Sequence, residues 1–89
     1  MKITWSEAKN IELKNIRNLN FEMVLVAIDD GKILADEQHS NLENYAHQRI
    51  LVVDIDAYAV VVPYVINGDE IFLKTMFRDR KMQRRYYAK

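Results

Sequence analysis

The sequence predicts an α+β fold in which two N-terminal helices pack on an antiparallel sheet of three or four strands and a short C-terminal helix ends the chain. Three observations support this prediction. Apolar residues recur at helical spacing within residues 21–28, β-branched residues fill the runs 49–55 and 58–66, and a basic segment follows Asp79, a good helix cap. With 89 residues, 49% of them hydrophobic, we expect residues 1–89 to form a single domain.

The first two elements are predicted to be helices. Residues 4–7 (TWSE) resemble a capping box with Thr4 as the cap, so a helix should run from there to about Arg17. Asn20 is a favourable cap for a second helix, and the sequence DDG at residues 29–31 should end it. The apolar positions of this second helix recur every three or four residues, at Phe21, Val24, Leu25 and Ile28.

Strands are predicted in the second half of the chain. Residues 32–37 should form a short strand, and the polar residues 38–48, which include both histidines, should form a loop. The runs 49–55 and 58–66 are rich in β-branched residues and are typical of two strands joined by a tight turn at residues 56–57. These segments therefore predict an antiparallel meander.

A turn dipeptide and a proline define the last predicted hairpin. Asn67-Gly68 is the preferred dipeptide of a type I′ turn, and it should fold residues 70–78 back onto the preceding strand. Pro63 in that preceding strand has no N–H to donate, which indicates a bulge or an edge position there. Asp79 should then cap the short basic helix that closes the chain.

The formal net charge of zero conceals an uneven distribution of charge along the chain. Residues 29–69 hold two basic and eight acidic side chains, whereas residues 70–89 hold seven basic and two acidic ones. No cysteine is present, which excludes disulfides and thiolate metal sites. Residues 1–10 lack an apolar signal core, and the longest apolar run, 57–66, is too short to cross a membrane. We therefore expect a soluble cytoplasmic protein that does not associate with membranes.

The predicted last strand places its cations on one face. Successive side chains of a strand point to opposite faces, so one set should face the core. That set is Ile71, Leu73, Thr75 and Phe77. The opposite set is Phe72, Lys74, Met76 and Arg78. The second face is either a solvated surface, on which the lysine and arginine stems cover the apolar side chains, or a surface for nucleic acid.

A cluster of cations near the C-terminus favours an anionic partner. The cluster consists of Arg78, Arg80, Lys81, Arg84 and Arg85. On a helix, their four-residue spacing creates like-charge pairs, which are mildly destabilising unless an anion lies nearby. Lys74 would extend this surface, and Tyr64 on the neighbouring strand would stack on unpaired bases. The anion is RNA in one interpretation and an acidic protein in the other.

Two other groups of polar residues receive a structural interpretation. His39 and His47 share one predicted loop, but zinc usually takes three or four ligands, so we expect ordinary loop histidines and neither a metal nor a cofactor. Asp54 and Asp56 share a strand face and are candidates for general acid–base catalysis. Aspartate beside a turn more commonly forms local hydrogen bonds, which is the interpretation we prefer.

The sequence resembles BrnT-type toxins in five stretches that keep the order of that family. Three of them are similar to the family's W-[DN]-x-x-K-N start, its L-K…S-F-E-E segment and its A-R-K-A-T-x-x-E/R…Y ending. The other two resemble a subgroup of uncharacterised relatives of these toxins. In this chain the stretches are 5–10 (WSEAKN), 13–14 (LK) with 20–22 (NFE), 62–65 (VPYV), 70–75 (EIFLKT) and 80–86 (RKMQRRY).

The family belongs to the RelE/ParE-like group, so the resemblance implies the toxin component of a type II toxin–antitoxin system. It implies an α+β domain, a metal-independent endoribonuclease and a cognate antitoxin, usually a DNA-binding protein, as the partner in a hetero-oligomer. By match, Arg80 and Lys81 occupy the positions of the family's C-terminal Arg-Lys. Arg17-Asn18 stands near a family histidine, whose role is therefore not transferred, and Asp79 replaces the usual alanine.

Two functions follow from these patterns and from the resemblance. In the first, the chain cleaves RNA, with Arg78, Arg80 and Lys81 as catalytic residues. The RNA contacts would then be made by Lys74, Tyr64, Arg84 and Arg85. In the second, the same basic face belongs to a non-catalytic protein-interaction or RNA-binding domain. A homo-oligomer is compatible with either function.

Overall fold

The fold consists of three helices and a six-stranded mixed sheet, as given by a computed structural model that describes residues 2–39, 43 and 47–88. Along the chain the elements are β1 (Lys2–Trp5), α1 (Glu7–Arg17), α2 (Phe21–Asp29), β2 (Ile33–Gln38), β3 (Gln48–Ile55), β4 (Tyr58–Asn67), β5 (Glu70–Leu73), β6 (Phe77–Arg78) and α3 (Arg80–Tyr87). The predicted α+β class is confirmed. No helix in this part of the chain is long and apolar enough to cross a membrane. Most of the loop predicted over residues 38–48 lies outside the described residues.

The strand order in the sheet is β1-β5-β4-β3-β2, and β6 pairs with β4 beyond the end of β5. Strands β2 to β5 form the antiparallel meander that the sequence predicts. The prediction of a purely antiparallel sheet of three or four strands was wrong. Strand β1 lies parallel to β5, from the pair Lys2–Glu70 to the pair Trp5–Leu73, and therefore adds an edge strand from the start of the chain.

The first helix starts two residues later than predicted, because Thr4 belongs to strand β1. Ser6 caps α1 instead, and its hydroxyl accepts a hydrogen bond from the Lys9 N–H at 3.3 Å. Asn20 caps α2 as predicted, with its side-chain oxygen accepting from the Met23 N–H at 3.0 Å. Local chemistry fixes the start of α2, whereas the start of α1 depends on the pairing of β1.

Apolar clusters cover both faces of the sheet. On one face, Leu13 of α1 and Phe21 of α2 are fully buried against the strands. On the other face, α3 packs Met82 and Tyr86 against a smaller cluster. That cluster consists of Val52, Ala59 and Val61. We call these two sides the α1/α2 face and the α3 face of the sheet.

Asn10 joins the two N-terminal helices from a buried position that is 6% exposed. Its side-chain oxygen accepts a hydrogen bond from the Phe21 N–H at 2.7 Å, and its amide nitrogen donates to Glu22 Oε1 at 2.8 Å. The hydrogen bond from Asn10 is the main cause that holds the pKa of Glu22 below its ordinary value. The first turn of α2 is thereby fixed against α1.

A one-residue bulge separates β5 from β6. Leu73 pairs with Tyr64, and Phe77 pairs with Val61, so three residues on one strand face two on the other. The bulge lies opposite Pro63, whose carbonyl accepts a hydrogen bond from the first bulge residue at 2.8 Å. Because the N–H and C=O groups of a residue in an antiparallel ladder point to the same side, the N–H that Pro63 lacks would also point at the bulge. The disturbance predicted at Pro63 is therefore confirmed, and it takes the form of an extra residue in the partner strand.

The bulge reverses the alternation of side chains that the sequence predicts after Leu73. Met76, predicted on the outer face, is fully buried in the core of the α1/α2 face. Phe77 packs on the α3 face with Val61, and Arg78 occupies the α1/α2 face. The predicted face assignment of these three residues was wrong, because an unbroken strand was assumed through residue 78.

Both predicted hairpin turns form, and one is displaced by a residue. Asp56 and Ala57 adopt positive φ angles of 54° and 64°, as a type I′ turn requires. In the second hairpin Asn67 still pairs within the ladder, so the loop consists of residues 68–69. Only Gly68 has a positive φ there, 65°, a conformation that glycine adopts without strain.

Replacing Asn10 with Ala should lower the free energy of unfolding by about 1–3 kcal/mol, because the buried Phe21 N–H loses its acceptor. Asn15→Ala removes an exposed side chain from the same helix and is the matched control. It should change the free energy of unfolding by less than about 0.5 kcal/mol. Urea denaturation followed by circular dichroism measures both variants, and equal losses would contradict the role given to Asn10.

Deleting Thr75 should remove the bulge and press the Lys74 carbonyl against Pro63, which has no N–H to offer. We expect the deletion to lower the free energy of unfolding by at least about 1 kcal/mol. Adding Pro63→Val to the deletion variant restores a donor and should recover about 1 kcal/mol of that loss. Strictly additive effects of the two changes in urea denaturation would refute the coupling between bulge and proline.

Candidate nucleic-acid interface

The basic helix α3 begins at a strong cap. The Asp79 side chain accepts hydrogen bonds from the Lys81 N–H at 2.8 Å and the Met82 N–H at 3.1 Å, as the sequence predicts. Met82 and Tyr86 then face the sheet, and the cations between them face outward. The cap fixes which side of the helix each residue occupies.

Gln83 and Asp79 bind α3 to the start of β4. Gln83 Oε1 accepts from the Ala59 N–H at 2.7 Å, and Gln83 Nε2 donates to the Ala57 carbonyl at 3.3 Å. The Asp79 N–H donates to the Ala59 carbonyl at 3.2 Å. The helix thereby satisfies backbone groups of β4 that lie beyond the end of β6, and its position on the sheet is fixed.

The C-terminal end of α3 is held by Tyr87. Its hydroxyl donates to the Asp54 carboxylate, which also accepts from the Ala57 N–H at 3.0 Å. Partial burial of the hydroxyl, followed by the hydrogen bond and the negative charge of Asp54, raises the pKa of Tyr87 to about 12. These hydrogen bonds confirm the structural interpretation of Asp54.

The outward side of α3 presents three cations that have no acidic partner among the described residues. Arg80, Lys81 and Arg84 are exposed, and no carboxylate among the described residues lies within ion-pair distance of them. Arg85 differs, because its Nη1 lies 3.7 Å from Glu37 Oε1 of β2. We call Arg80, Lys81 and Arg84 the basic helix face.

Arg78 does not join the basic helix face. Its Nη1 donates to the Arg17 carbonyl at 2.8 Å, at the end of α1. Arg17 reciprocates, since its Nη1 donates to the Met76 carbonyl at 2.9 Å and lies 3.4 Å from Thr75 Oγ1. The two arginines fasten α1 to the bulge, so the predicted convergence of Arg78 with Arg80 was wrong.

Tyr64 is a core residue of the α1/α2 face and is only 4% exposed. Its hydroxyl donates to Asp36 Oδ1 at 2.5 Å, and Arg49 Nε donates to the Tyr64 oxygen at 3.2 Å and to Asp36 at 3.3 Å. Burial, followed by the hydrogen bond to Asp36, raises the pKa of Tyr64. Its ring has no open face, so the prediction that it stacks on bases was wrong. Its alternation with Val60 and Val62 along β4 was the available signal of burial.

Lys74 is exposed in the bulge, with its Nζ 5.8 Å from the centre of the Phe72 ring. It lines an open cavity of about 480 Å³ together with Lys9 and Arg17 of α1. The rest of the lining consists of His39, Gln48, Pro63, Thr75 and Phe77. We call this space the basic cavity.

Sequence reasoning missed Lys9 and Arg17 as members of a site. Both lie on the side of α1 that carries the buried Leu13 between them, at successive intervals of four residues. This spacing was the only signal in the sequence, and it does not say which strand the helix borders. The contact of Arg17 with the bulge places α1 beside β6 and brings these cations to Lys74.

Within the described residues, no group of three or more His, Asp or Glu side chains could hold a metal ion. No protein-family model matches this chain, and comparisons with curated proteins and with solved structures find no match either. The similarity to BrnT-type toxins therefore stays a prediction based on the five short stretches.

Alkaline pH should loosen the attachment of α3 through Tyr87. Its pKa in the folded protein is about 12, above the ordinary value of 10.0, so the unfolded chain loses this proton first. The stabilisation is complete below about pH 10 and is lost as pH rises toward 12. Tyr87→Phe should therefore show a smaller loss of stability than the wild type between pH 10 and 12 in urea denaturation. Identical pH profiles would show that the Tyr87–Asp54 hydrogen bond contributes nothing to stability.

Proposed function

We propose that this protein is the toxin component of a type II toxin–antitoxin system and acts on RNA in the cytoplasm as an endoribonuclease. The observation that supports this proposal is the basic helix face, whose three cations lack acidic partners within the described part of the chain. The resemblance to BrnT-type toxins supplies the reaction and the expected partner, a cognate DNA-binding antitoxin.

The basic helix face suits a polyanion because its cations are held in place before the ligand binds. Hydrogen bonds of Asp79, Gln83 and Tyr87 hold α3 on the sheet, so the helix need not be ordered on binding. Arg80 and Arg84, one helical turn apart, repel each other in the free protein. Neutralisation by successive phosphates relieves this repulsion and releases counterions.

RNA cleavage needs stabilisation of negative charge at phosphorus. The 2′-hydroxyl loses its proton to water as its oxygen attacks the phosphorus, the bond to the 5′-oxygen breaks, and that oxygen takes a proton from water, so a 2′,3′-cyclic phosphate and a 5′-hydroxyl result. Arg80 and Lys81 would stabilise the charge on the phosphorane oxygens. Arg78 takes no part in this step, because it lies on the α1/α2 face at the end of α1, away from Arg80 and Lys81.

A non-catalytic RNA-binding or protein-interaction domain is the second candidate function. The positions of Arg78 and Tyr64 favour this second function. Both residues were predicted to belong to the site, but Arg78 binds the Arg17 carbonyl and Tyr64 binds Asp36. Both candidates use the same basic helix face, so they differ in whether bound RNA is cut.

Expression from a tightly controlled promoter should arrest growth and fragment cellular RNA. Arg80→Ala/Lys81→Ala should abolish both effects while the protein remains folded, because two phosphate-binding cations are lost. Lys14→Ala/Lys32→Ala removes the same charge from exposed positions outside α3 and is the matched control. Growth curves, RNA gels and circular dichroism of the purified variants measure these outcomes.

Two results would contradict the proposal. Normal growth with intact RNA in cells that contain folded wild-type protein would remove the enzymatic function. Equal toxicity of the wild type and the Arg80→Ala/Lys81→Ala variant would show that Arg80 and Lys81 do not form the catalytic site.

A further inference from the structure

We infer that the basic cavity receives one unpaired nucleotide of a single-stranded RNA, with the phosphate among Lys9, Arg17 and Lys74 and the base against Phe77. This inference rests on the proposed action on RNA and adds the class of substrate, which is single-stranded. It also adds a second contact region to the basic helix face.

The size and openness of the basic cavity fit a nucleotide within a longer strand. Its volume of about 480 Å³ lies in the range of small-ligand sites, about 300–1,000 Å³. The cavity is open, so a nucleotide within a longer strand can reach it. A fully enclosed pocket would admit only a free small molecule.

The three cations of the cavity come from α1 and from the bulge, and all three line the same space. Arg17 Nη1 donates hydrogen bonds to the Met76 carbonyl and to Thr75 Oγ1. These bonds fix the guanidinium and leave its other N–H groups as donors. Lys9 lies 3.3 Å from Glu12 Oε1, and Lys74 lies over Phe72. Both ammonium groups keep further N–H donors for phosphate oxygens.

Phe77 gives the cavity an aromatic wall. Phe77 is half-buried, lines the cavity and packs on the α3 face with the cluster that Met82 and Tyr86 also contact. Pro63 adds a second apolar surface to the lining. Because every base has a π face, this wall tolerates different sequences.

The position of Phe77 selects unpaired bases. A base in a duplex is stacked and paired, and its face is not available to a side chain set inside a cavity. Phe77 lines the cavity and packs against the same cluster that α3 contacts on the α3 face of the sheet.

Fluorescence anisotropy tests the inference with a short fluorescein-labelled single-stranded RNA that carries 2′-O-methyl groups and so cannot be cleaved. The same strand annealed to its complement is the duplex probe, and labelled polyglutamate is a probe of charge alone. The wild type should bind the single strand more tightly than the duplex.

Lys9→Ala/Lys74→Ala should weaken RNA binding and reduce the slope of log affinity against log salt by about 0.7, the value for one lost phosphate contact on a single strand. Lys14→Ala/Lys32→Ala, with the same change in net charge, should bind like the wild type. Phe77→Leu keeps an apolar side chain and removes the π face, so it should weaken RNA binding at least about fivefold and leave polyglutamate binding unchanged.

Phe77 also packs against the cluster on the α3 face, so Phe77→Leu could lower RNA binding by destabilising the fold. A second measurement on the wild-type protein avoids this ambiguity. Uridine monophosphate titrated into the wild-type protein should shift the NMR signals of Phe77 and Lys74. No shift at these residues would overturn the inference even if Phe77→Leu fails to fold.

The outcomes separate this inference from the proposed function. If Arg80→Ala/Lys81→Ala weakens RNA binding but the cavity variants bind like the wild type, the inference fails and the proposed RNA surface stands. If the duplex binds as tightly as the single strand, the selection of unpaired bases is wrong. If the wild type binds polyglutamate but not RNA, both proposals fail.

Discussion

The extra residue opposite Pro63 determines where every later side chain of this protein lies. Proline cannot complete the ladder, and the partner strand accommodates this gap by bulging away from it. The bulge directs Met76 into the core and Phe77 to the opposite face, from which the chain continues into α3. The bulge also supplies the carbonyl and hydroxyl that Arg17 binds, so α1 is fixed at the same point. One missing N–H therefore decides the placement of a helix at each side of the sheet.

Sequence reasoning succeeded where short-range chemistry decides the structure. The caps of α2 and α3, the β3–β4 hairpin and the disturbance at Pro63 each depend on neighbouring residues. It failed for β1, because a four-residue strand at the start of the chain gains its partner only from β5. Thr4 and Ser6 are both acceptable caps, and the pairing of β1 with β5 selects Ser6. A single sequence contains no local signal of that pairing.

The candidate site was predictable in part for the same reason. The outward cations of α3 follow from a cap and a helical period, both of which the sequence displays. Arg78 and Tyr64 were assigned to the site because the alternation of side chains was extended through the bulge and the burial of β4 was underestimated. Lys9 and Arg17 could not be joined to Lys74, since nothing in the order of residues says that α1 borders the end of β5. Only the contacts between α1 and the bulge, which are distant in the sequence, show that these three cations lie together.

The parallel pairing of β1 with β5 also sets an order of events during synthesis. Residues 6–69 lie between the two strands, so the edge of the sheet stays open until residues 70–73 have left the ribosome. Until then Leu13 and Phe21 have no complete sheet to cover, and the nascent chain exposes an apolar surface and unpaired backbone groups. Pairing β1 with β5 closes this loop, and its entropic cost is offset only when both strands are present.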